Sequence, residues 1–352
     1  MRDDPGGTLI YPRRVITGRH KEGTPARRRL KSFIPVLRLL VSAVMLFVLL
    51  RRVHLSTLLP EWDRPAVVDL CAAVAVTLVG IVLSAVRWQR VLAALDAPAP
   101  LRSLTSHTFA GMFVSNFLPS TIGGDVLRVA RLSAANGSRP TSFASVVLER
   151  LSGWLVLPVI TLVGLGVNPG LRELGWASHL AELIAVSTLV LLGVVLVAAA
   201  SPRVGGRLGH SEGWRRFIAS VHVGLVRFKE RPGAALEVLV AGFVYQLAVV
   251  LAANLAAEAL GLHVGWTAMM AFMPAVAIVQ VLPITIGGLG VREGAFVIFL
   301  HPLGVSTQRA IALGVVIYGV TLLASLAGAP AFAAGGGRRR LAEDIDSARH
   351  AA

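Results

Sequence analysis

The chain has 352 residues, 55% of them hydrophobic and 15% charged, with a mean hydropathy of +0.71; water cannot solvate so apolar a surface, so this is a membrane protein. Its formal charge of +15 comes with only 6% aromatics and with basic residues placed between apolar runs, which points to anionic lipid headgroups as partners and away from nucleic acid. The single cysteine, Cys71, lies inside an apolar run and excludes disulfides, thiolate metal sites and dithiol redox chemistry.

Residues 1–31 are polar and rich in Pro, Gly and Arg, and read as a disordered basic cytoplasmic tail. No cleaved signal is expected, because its apolar core would follow a short basic start directly. Runs long enough to cross a bilayer, about 20 residues each, follow at 33–50, 67–86, 148–167, 180–200, 234–259 and 309–334. Two further segments, 104–131 and 267–300, are apolar but interrupted by Pro and paired Gly. Residues 336–352 form a second cytoplasmic tail. The expected fold is all-α, a polytopic helix bundle over 32–335 with six full spans and two broken hairpins.

In the central loop Trp214, Phe217, Ile218, Val221, Leu225 and Phe228 recur at helical spacing, with Arg215, Arg216, Arg227 and Lys229 between them. The pattern predicts an amphipathic cytoplasmic helix over 212–231, capped by Ser211, that lies on the inner leaflet or packs its apolar stripe beneath the bundle.

Lys and Arg set the orientation. Twenty-seven of the 34 fall in the tails and the loops on the amino-terminal side, five (Arg51, Arg52, Arg64, Arg172, Arg309) on the other, and Arg38 and Arg292 lie within apolar sequence. Both termini are therefore expected in the cytoplasm. Arg87 and Arg90 are assigned to the loop after the second span. Both flanks of 104–131 are basic while those of 267–300 are nearly free of Lys and Arg, so each broken segment is expected to return to its own side, the first from the cytoplasm and the second from outside. Non-helical backbone at membrane depth persists only where protein or a water-filled cavity satisfies it, which predicts a cavity.

The two breaks are related. Leu118-Pro-Ser-Thr-Ile-Gly-Gly-Asp-Val-Leu-Arg128 and Leu282-Pro-Ile-Thr-Ile-Gly-Gly-Leu-Gly-Val-Arg292 align without a gap and agree at seven of eleven positions. Three full spans lie between them, and an odd number inverts the second copy in the membrane. Inverted repeats with interrupted helices mark the substrate sites of many transporters. Pro119 and Pro283 end a helix, Gly123, Gly124, Gly287 and Gly288 let the backbone turn, and the half-helix that follows points unpaired amides and a positive dipole end at an anion. Arg128 and Arg292, one turn on, can each add a two-pronged phosphate contact. In the competing reading the glycines serve close helix packing and the charges pair with one another, Asp125 with Arg292 for example. A charge at membrane depth costs roughly 2.5–3.5 kcal/mol and so favours the functional reading.

Glu293 is expected to cap or tune the second half-helix. Glu149 and Arg150, placed at the opening of the third span, read equally as an interface salt bridge or as part of the substrate path. Asn116, Gln246, Asn254 and Gln280 line a cavity or bond between helices. Gly209-His-Ser-Glu-Gly213 matches a nucleophile-elbow pattern, but no sheet exists to carry it, and Thr24 stands where a P-loop requires Lys. The nine His lack ligand spacing, so neither a metal nor a cofactor is expected.

With Ala85-Val-Arg-Trp88, Asn116-Phe-Leu-Pro-Ser-Thr-Ile-Gly-Gly-Asp-Val-Leu-Arg128, Glu149-Arg-Leu-Ser-Gly153 and Leu282-Pro-Ile-Thr-Ile-Gly-Gly-Leu-Gly-Val-Arg-Glu-Gly294, the sequence resembles the lysylphosphatidylglycerol synthase transmembrane region family, flippase-like integral membrane proteins. The resemblance implies movement of a lipid, often with a charged headgroup, between leaflets of a prokaryotic cytoplasmic membrane. It also implies that Glu149 replaces an Asp found in many relatives. The chain ends soon after its last span, unlike family members fused to an aminoacyltransferase, so aminoacyl transfer is not carried over.

The expected function is thus a lipid transporter or flippase for a phospholipid or lipid-linked substrate, and not an enzyme. Its expected substrate-binding set is Arg128, Arg292, Asp125, Gly123, Gly124, Gly287, Gly288, Glu293, Asn116, Glu149 and Arg150. Two alternatives remain open: an intramembrane enzyme using Asp125 or Glu293 as acid or base on a lipid-linked substrate, and a scaffold for a cytoplasmic glycosyl- or aminoacyl-transferase. Small residues such as Ala252, Ala256, Ala324 and Gly328 permit close helix contacts but choose no partner, so a homodimer stays open.

Overall fold

The computed structural model describes residues 63–117, 123–200, 214–281 and 288–334. The predicted span at 33–50, both tails, Ser211 and the break residues Pro119, Pro283 and Gly287 lie outside them.

The described residues form helices without strands: α1 (Arg64–Ala94), α2 (Leu101–Phe117), α3 (Gly123–Asn136), α4 (Arg139–Val167), α5 (Trp176–Ala200), α6 (Trp214–Glu230), α7 (Pro232–Ala259), α8 (Trp266–Gln280), α9 (Val291–Leu300) and α10 (Thr307–Leu326). Five of them, α1, α4, α5, α7 and α10, are long and apolar enough to cross a membrane. Their starts carry local signals. The Asp63 carboxylate accepts the Ala66 N–H at 2.9 Å ahead of α1, and the Ser138 hydroxyl accepts the Thr141 N–H at 3.3 Å ahead of α4; each helix has Pro in its first turn, where the missing donor costs nothing.

Two boundaries differ from the sequence expectation. α1 continues beyond 86 to Ala94, so Arg87 and Arg90 stand on a helix and not in a loop, and α4 begins before 148, so Glu149 and Arg150 lie ten and eleven residues inside it. In both cases the buried stripe continues through charged sequence: Ser84, Arg87, Trp88, Val91 and Leu92 keep one helical face covered. Hydropathy falls there, but packing does not.

α1 and α7 lie side by side and antiparallel, since Asp96, just past α1, pairs at 2.7 Å with Arg231, just before α7. α4 crosses α8 at Gly164, where an added Cβ would stand 2.6 Å from the Ala271 nitrogen. Phe272 and Phe299 stack with centroids 5.4 Å apart in the larger core. One face of α5 (Leu183, Val186, Val190, Val194, Val197) is exposed and largely apolar, with Ser187 the polar residue among them, the surface a lipid-facing helix requires. Ala252, Ala256 and Ala324 are buried within the chain, and Gly328 lies against the Phe109 backbone. These small residues thus serve packing inside one protomer.

The amphipathic helix is α6. Ile218 and Val221 are buried against Val147 and Ala199, and His222 Nδ1 lies 2.7 Å from the Ala199 carbonyl. Of the two readings of its stripe, packing against the bundle is the one observed, while Val223 and Val226 stay exposed.

Among the described residues, 104–131 contains most of α2 and the first part of α3, and 267–300 contains most of α8 and all of α9. A cavity of about 310 Å³ is lined by Asp96–Pro100, ahead of α2, together with Leu132, Ala135 and Asn136, at the end of α3. A second, of about 390 Å³, is lined by Gly261–Val264, ahead of α8, and by Leu303–Ser306, after α9. The flanks of each segment therefore meet, and the two meeting places are separated by the length of α7, about 42 Å at 1.5 Å per residue. Beyond α10, residues 329–334 form a helical turn whose Ala331 and Phe332 carbonyls accept N–H bonds from Arg131 at 2.9 Å, tying the carboxyl end to α3.

Candidate functional site

Five charges from three helices form one connected chain. α1 contributes Arg87, α3 contributes Asp125 and Arg128, and α4 contributes Glu149 and Arg150. Glu149 is the centre. Its Oε1 accepts from Arg87 Nε at 3.0 Å, also from Arg87 Nη2, and from the Ser84 hydroxyl at 3.3 Å, while Oε2 faces Arg128 Nη1 at 3.3 Å. Arg128 Nη1 also reaches Asp125 Oδ1 at 3.4 Å. Arg150 holds Asp125 in a fork, Nη2 to Oδ1 at 2.8 Å and Nε to Oδ2 at 3.1 Å. Side-chain exposure falls steeply along this chain: Arg150 55%, Asp125 24%, Arg128 5%, Glu149 1%, then Arg87 5%.

Aromatic faces support the two inner guanidinium groups. Arg128 lies 4.2 Å from the Trp88 ring centroid and Arg87 4.8 Å from that of Tyr245, geometries that stabilise a desolvated cation. The Trp88 indole N–H donates to Ser145 at 3.0 Å, which fixes the ring. Three guanidinium groups against two carboxylates leave one positive charge without a counter-ion. Arg87 Nη1 and Arg128 Nε and Nη2 are buried and have no hydrogen-bond partner among the described residues. A buried donor left unpaired is costly, and these three nitrogens are free to donate to an acceptor.

Gly153, one turn after Glu149, makes room for Arg87: an added Cβ would stand 2.7 Å from Nη1. Gly153→Ala is expected to displace a guanidinium already held by Glu149. The expected loss is about 1–3 kcal/mol, read as a lower unfolding midpoint of the detergent-solubilised protein; an unchanged midpoint would show that Arg87 is not confined there.

The second copy of the motif has a different electrostatic outcome. Arg292 Nε donates to Glu293 Oε1 at 3.1 Å, and Glu293 Oε2 accepts the Gly290 N–H at 2.6 Å, capping α9. Both residues are buried, with Arg292 5.2 Å from the Tyr318 ring centroid and Glu293 against Gly314 of α10. The pair is neutral and closed. Gly288 adopts φ +72°, and a Cβ there would press on Gln280 at 3.0 Å, so glycine is required by both backbone and space.

The expected site residues therefore separate. Arg128, Asp125, Glu149 and Arg150 come together, with Gly123 and Gly124 opening the helix that carries two of them. Arg292 and Glu293 form their own pair, and the Asp125 to Arg292 contact is not formed: Asp125 is taken by Arg150 and Arg128, and Arg292 by Glu293. Asn116 stands in the last turn of α2 with its Nδ2 buried, and it and Asn254 Oδ1 have no partner among the described residues. Arg87, Trp88 and Tyr245 were not expected in the site. The available signal was the stripe through Ser84, Trp88 and Val91, which continues a buried helix face past Arg87. Among the described residues no group of three His, Cys, Asp or Glu could hold a metal ion, and His107 Nε2 sits 3.2 Å from the Ser103 hydroxyl.

A family profile described as "Lysylphosphatidylglycerol synthase TM region" matches residues 36–328, an interval that contains both charge clusters. No curated protein matches the chain significantly.

Proposed function

The chain belongs to the lysylphosphatidylglycerol synthase TM region family and is a multi-pass membrane protein, and from that premise we propose that it transports a lipid with an anionic headgroup between leaflets of a prokaryotic cytoplasmic membrane. One observation carries this reading: a charge cluster of net +1 whose two buried guanidinium groups, Arg87 and Arg128, have three nitrogens without a partner among the described residues. A phosphodiester provides one negative charge and acceptor oxygens in the geometry a guanidinium prefers. An unmatched charge at membrane depth is expensive and marks function.

The topology supports the same reading. The flanks of 104–131 meet at one end of the bundle and those of 267–300 at the other, as re-entrant hairpins of an inverted repeat would, with the substrate site between the repeats. Arg64, Arg172 and Arg309 lie on the end of the bundle away from Asp96, whereas Arg131, Arg139, Arg227 and Arg231 cluster near it; the Asp96 end is then cytoplasmic. Asp125 and Glu293, the acids or bases an enzyme would use, are both held by guanidinium groups, which favours carriage over chemistry.

The test is translocation of fluorescent phosphatidylglycerol in proteoliposomes. Arg128→Gln is expected to lower the rate about tenfold or more, the equivalent of one charge-assisted contact, while Arg172→Gln leaves it unchanged and mass spectrometry recovers the lipid unaltered. Equal rates for wild type and Arg128→Gln would reject the reading.

A further inference from the structure

The five charges differ in how firmly each is held. Glu149 is enclosed and receives Arg87, Arg128 and Ser84; it is a fixed part of the bundle. Asp125 is one-quarter exposed, sits in the first turn of α3, and touches Arg128 only at 3.4 Å. Arg150 holds it more closely but is itself more than half exposed. Arg150 lies eleven residues into α4, about 16 Å along the helix, beside an α3 surface where Val126 is 59% exposed. A half-exposed guanidinium at this depth is open to a second polar partner besides Asp125.

Resting on the transport reading above, we infer that Asp125 is a displaceable counter-ion and that the Arg150–Asp125 pair is a lateral gate for a monoanionic phosphodiester headgroup. The headgroup arrives from the bilayer at Arg150 and takes the place of the Asp125 carboxylate on Arg128. There it meets the unpartnered Nε and Nη2 of Arg128 and, behind Glu149, the Nη1 of Arg87. No bond is made or broken. One carboxylate is exchanged for one phosphate, and the return of Asp125 expels the lipid. Arg150 and Asp125 are thus positioning residues, and Arg128 is the binding residue. Arg292 takes no part, because Glu293 neutralises it in place.

The full-length protein is reconstituted in phosphatidylcholine vesicles, and translocation of labelled phosphatidylglycerol is measured against its mole fraction. Asp125→Asn removes the competing anion and keeps the side-chain shape, so the half-saturating fraction is expected to fall about tenfold, a coupling of ordinary size, and the maximal rate to fall with it because release slows. Arg150→Gln is expected to raise the half-saturating fraction about fivefold, since entry loses its cation and Asp125 is freed to hold Arg128. A half-saturating fraction that is unchanged or raised in Asp125→Asn, with wild type active and Arg128→Gln inactive, overturns the gate and leaves the transport reading intact. If Asp125→Asn is not monodisperse, Arg150→Gln decides alone, and an unchanged half-saturating fraction overturns the inference. Wild type no faster than protein-free vesicles rejects both readings.

Discussion

Glu149→Ala is expected to be the most damaging single substitution in the bundle. It leaves Arg87 and Arg128 buried and facing each other across the space the carboxylate occupied, and breaking a buried pair from one side costs about 3–5 kcal/mol. Against a total stability of about 5–15 kcal/mol, most of the protein should be lost to aggregation, read as a collapse in monodisperse yield. Removing Arg87 along with it is milder: Arg87→Met with Glu149→Leu leaves Arg128 as the one inner guanidinium of the cluster, still facing Asp125 at 3.4 Å, and should recover part of the yield. The exposed pair Arg90–Glu237, at 3.0 Å with both side chains half exposed or more, sets the contrast, since Glu237→Ala should cost no more than about 1 kcal/mol. Equal yields for Glu149→Ala and Glu237→Ala would show that the network does not support the fold.

Gly124→Ala is expected to cut transport at least about tenfold, by a different route. An added Cβ would meet the Gly111 carbonyl and the Ser115 hydroxyl, and one on Gly111 would stand 3.0 Å from both the Gly124 carbonyl and Arg128 Cγ. Backbone is pressed on backbone, so α2 and α3 must separate, at about 1–3 kcal/mol or more for overpacking. The first turn of α3 moves with them and takes Asp125 and Arg128 out of register with Glu149. Translocation should fall about tenfold or more, given that a displacement of roughly 1 Å can cost 10²-fold. Gly193→Ala is the matched control, because nothing lies within 4 Å of its position and alanine is the better helix former. Full transport by Gly124→Ala would mean that the crossing does not position Arg128.

Much of this protein is legible without coordinates because the relevant physics is local. Twenty or so apolar residues must span a bilayer, so the all-α class and the spans at α1, α4, α5, α7 and α10 follow from hydropathy. Proline beside paired glycine marks out 104–131 and 267–300, where the described residues end α2 at Phe117 before α3 starts at Gly123, and α8 at Gln280 before α9 starts at Val291; Pro158 and Pro274, without paired glycine, stay inside α4 and α8. The amphipathic stripe of α6 is equally a matter of spacing, although whether lipid or the bundle covers it is not.

Charge pairing belonged to the tertiary structure alone. Arg87 and Arg90 stand three residues apart in similar sequence, yet one is 4% exposed against a carboxylate 62 positions away and the other is a surface ion pair. Glu149 looked like the edge of a span because its own charge lowers the local hydropathy, whereas neutralisation by Arg87 and Arg128 lets it lie inside. The two motif copies make the same point from opposite directions. Each ends in arginine at the same position, but Glu293 immediately follows one and cancels it, while Arg128 shares its carboxylates with two other guanidinium groups. Sequence placed a cation at each break; only the count of neighbours brought in by other helices decided which of them retains an unmatched charge, because electrostatic energy depends on distance in space and not on distance along the chain.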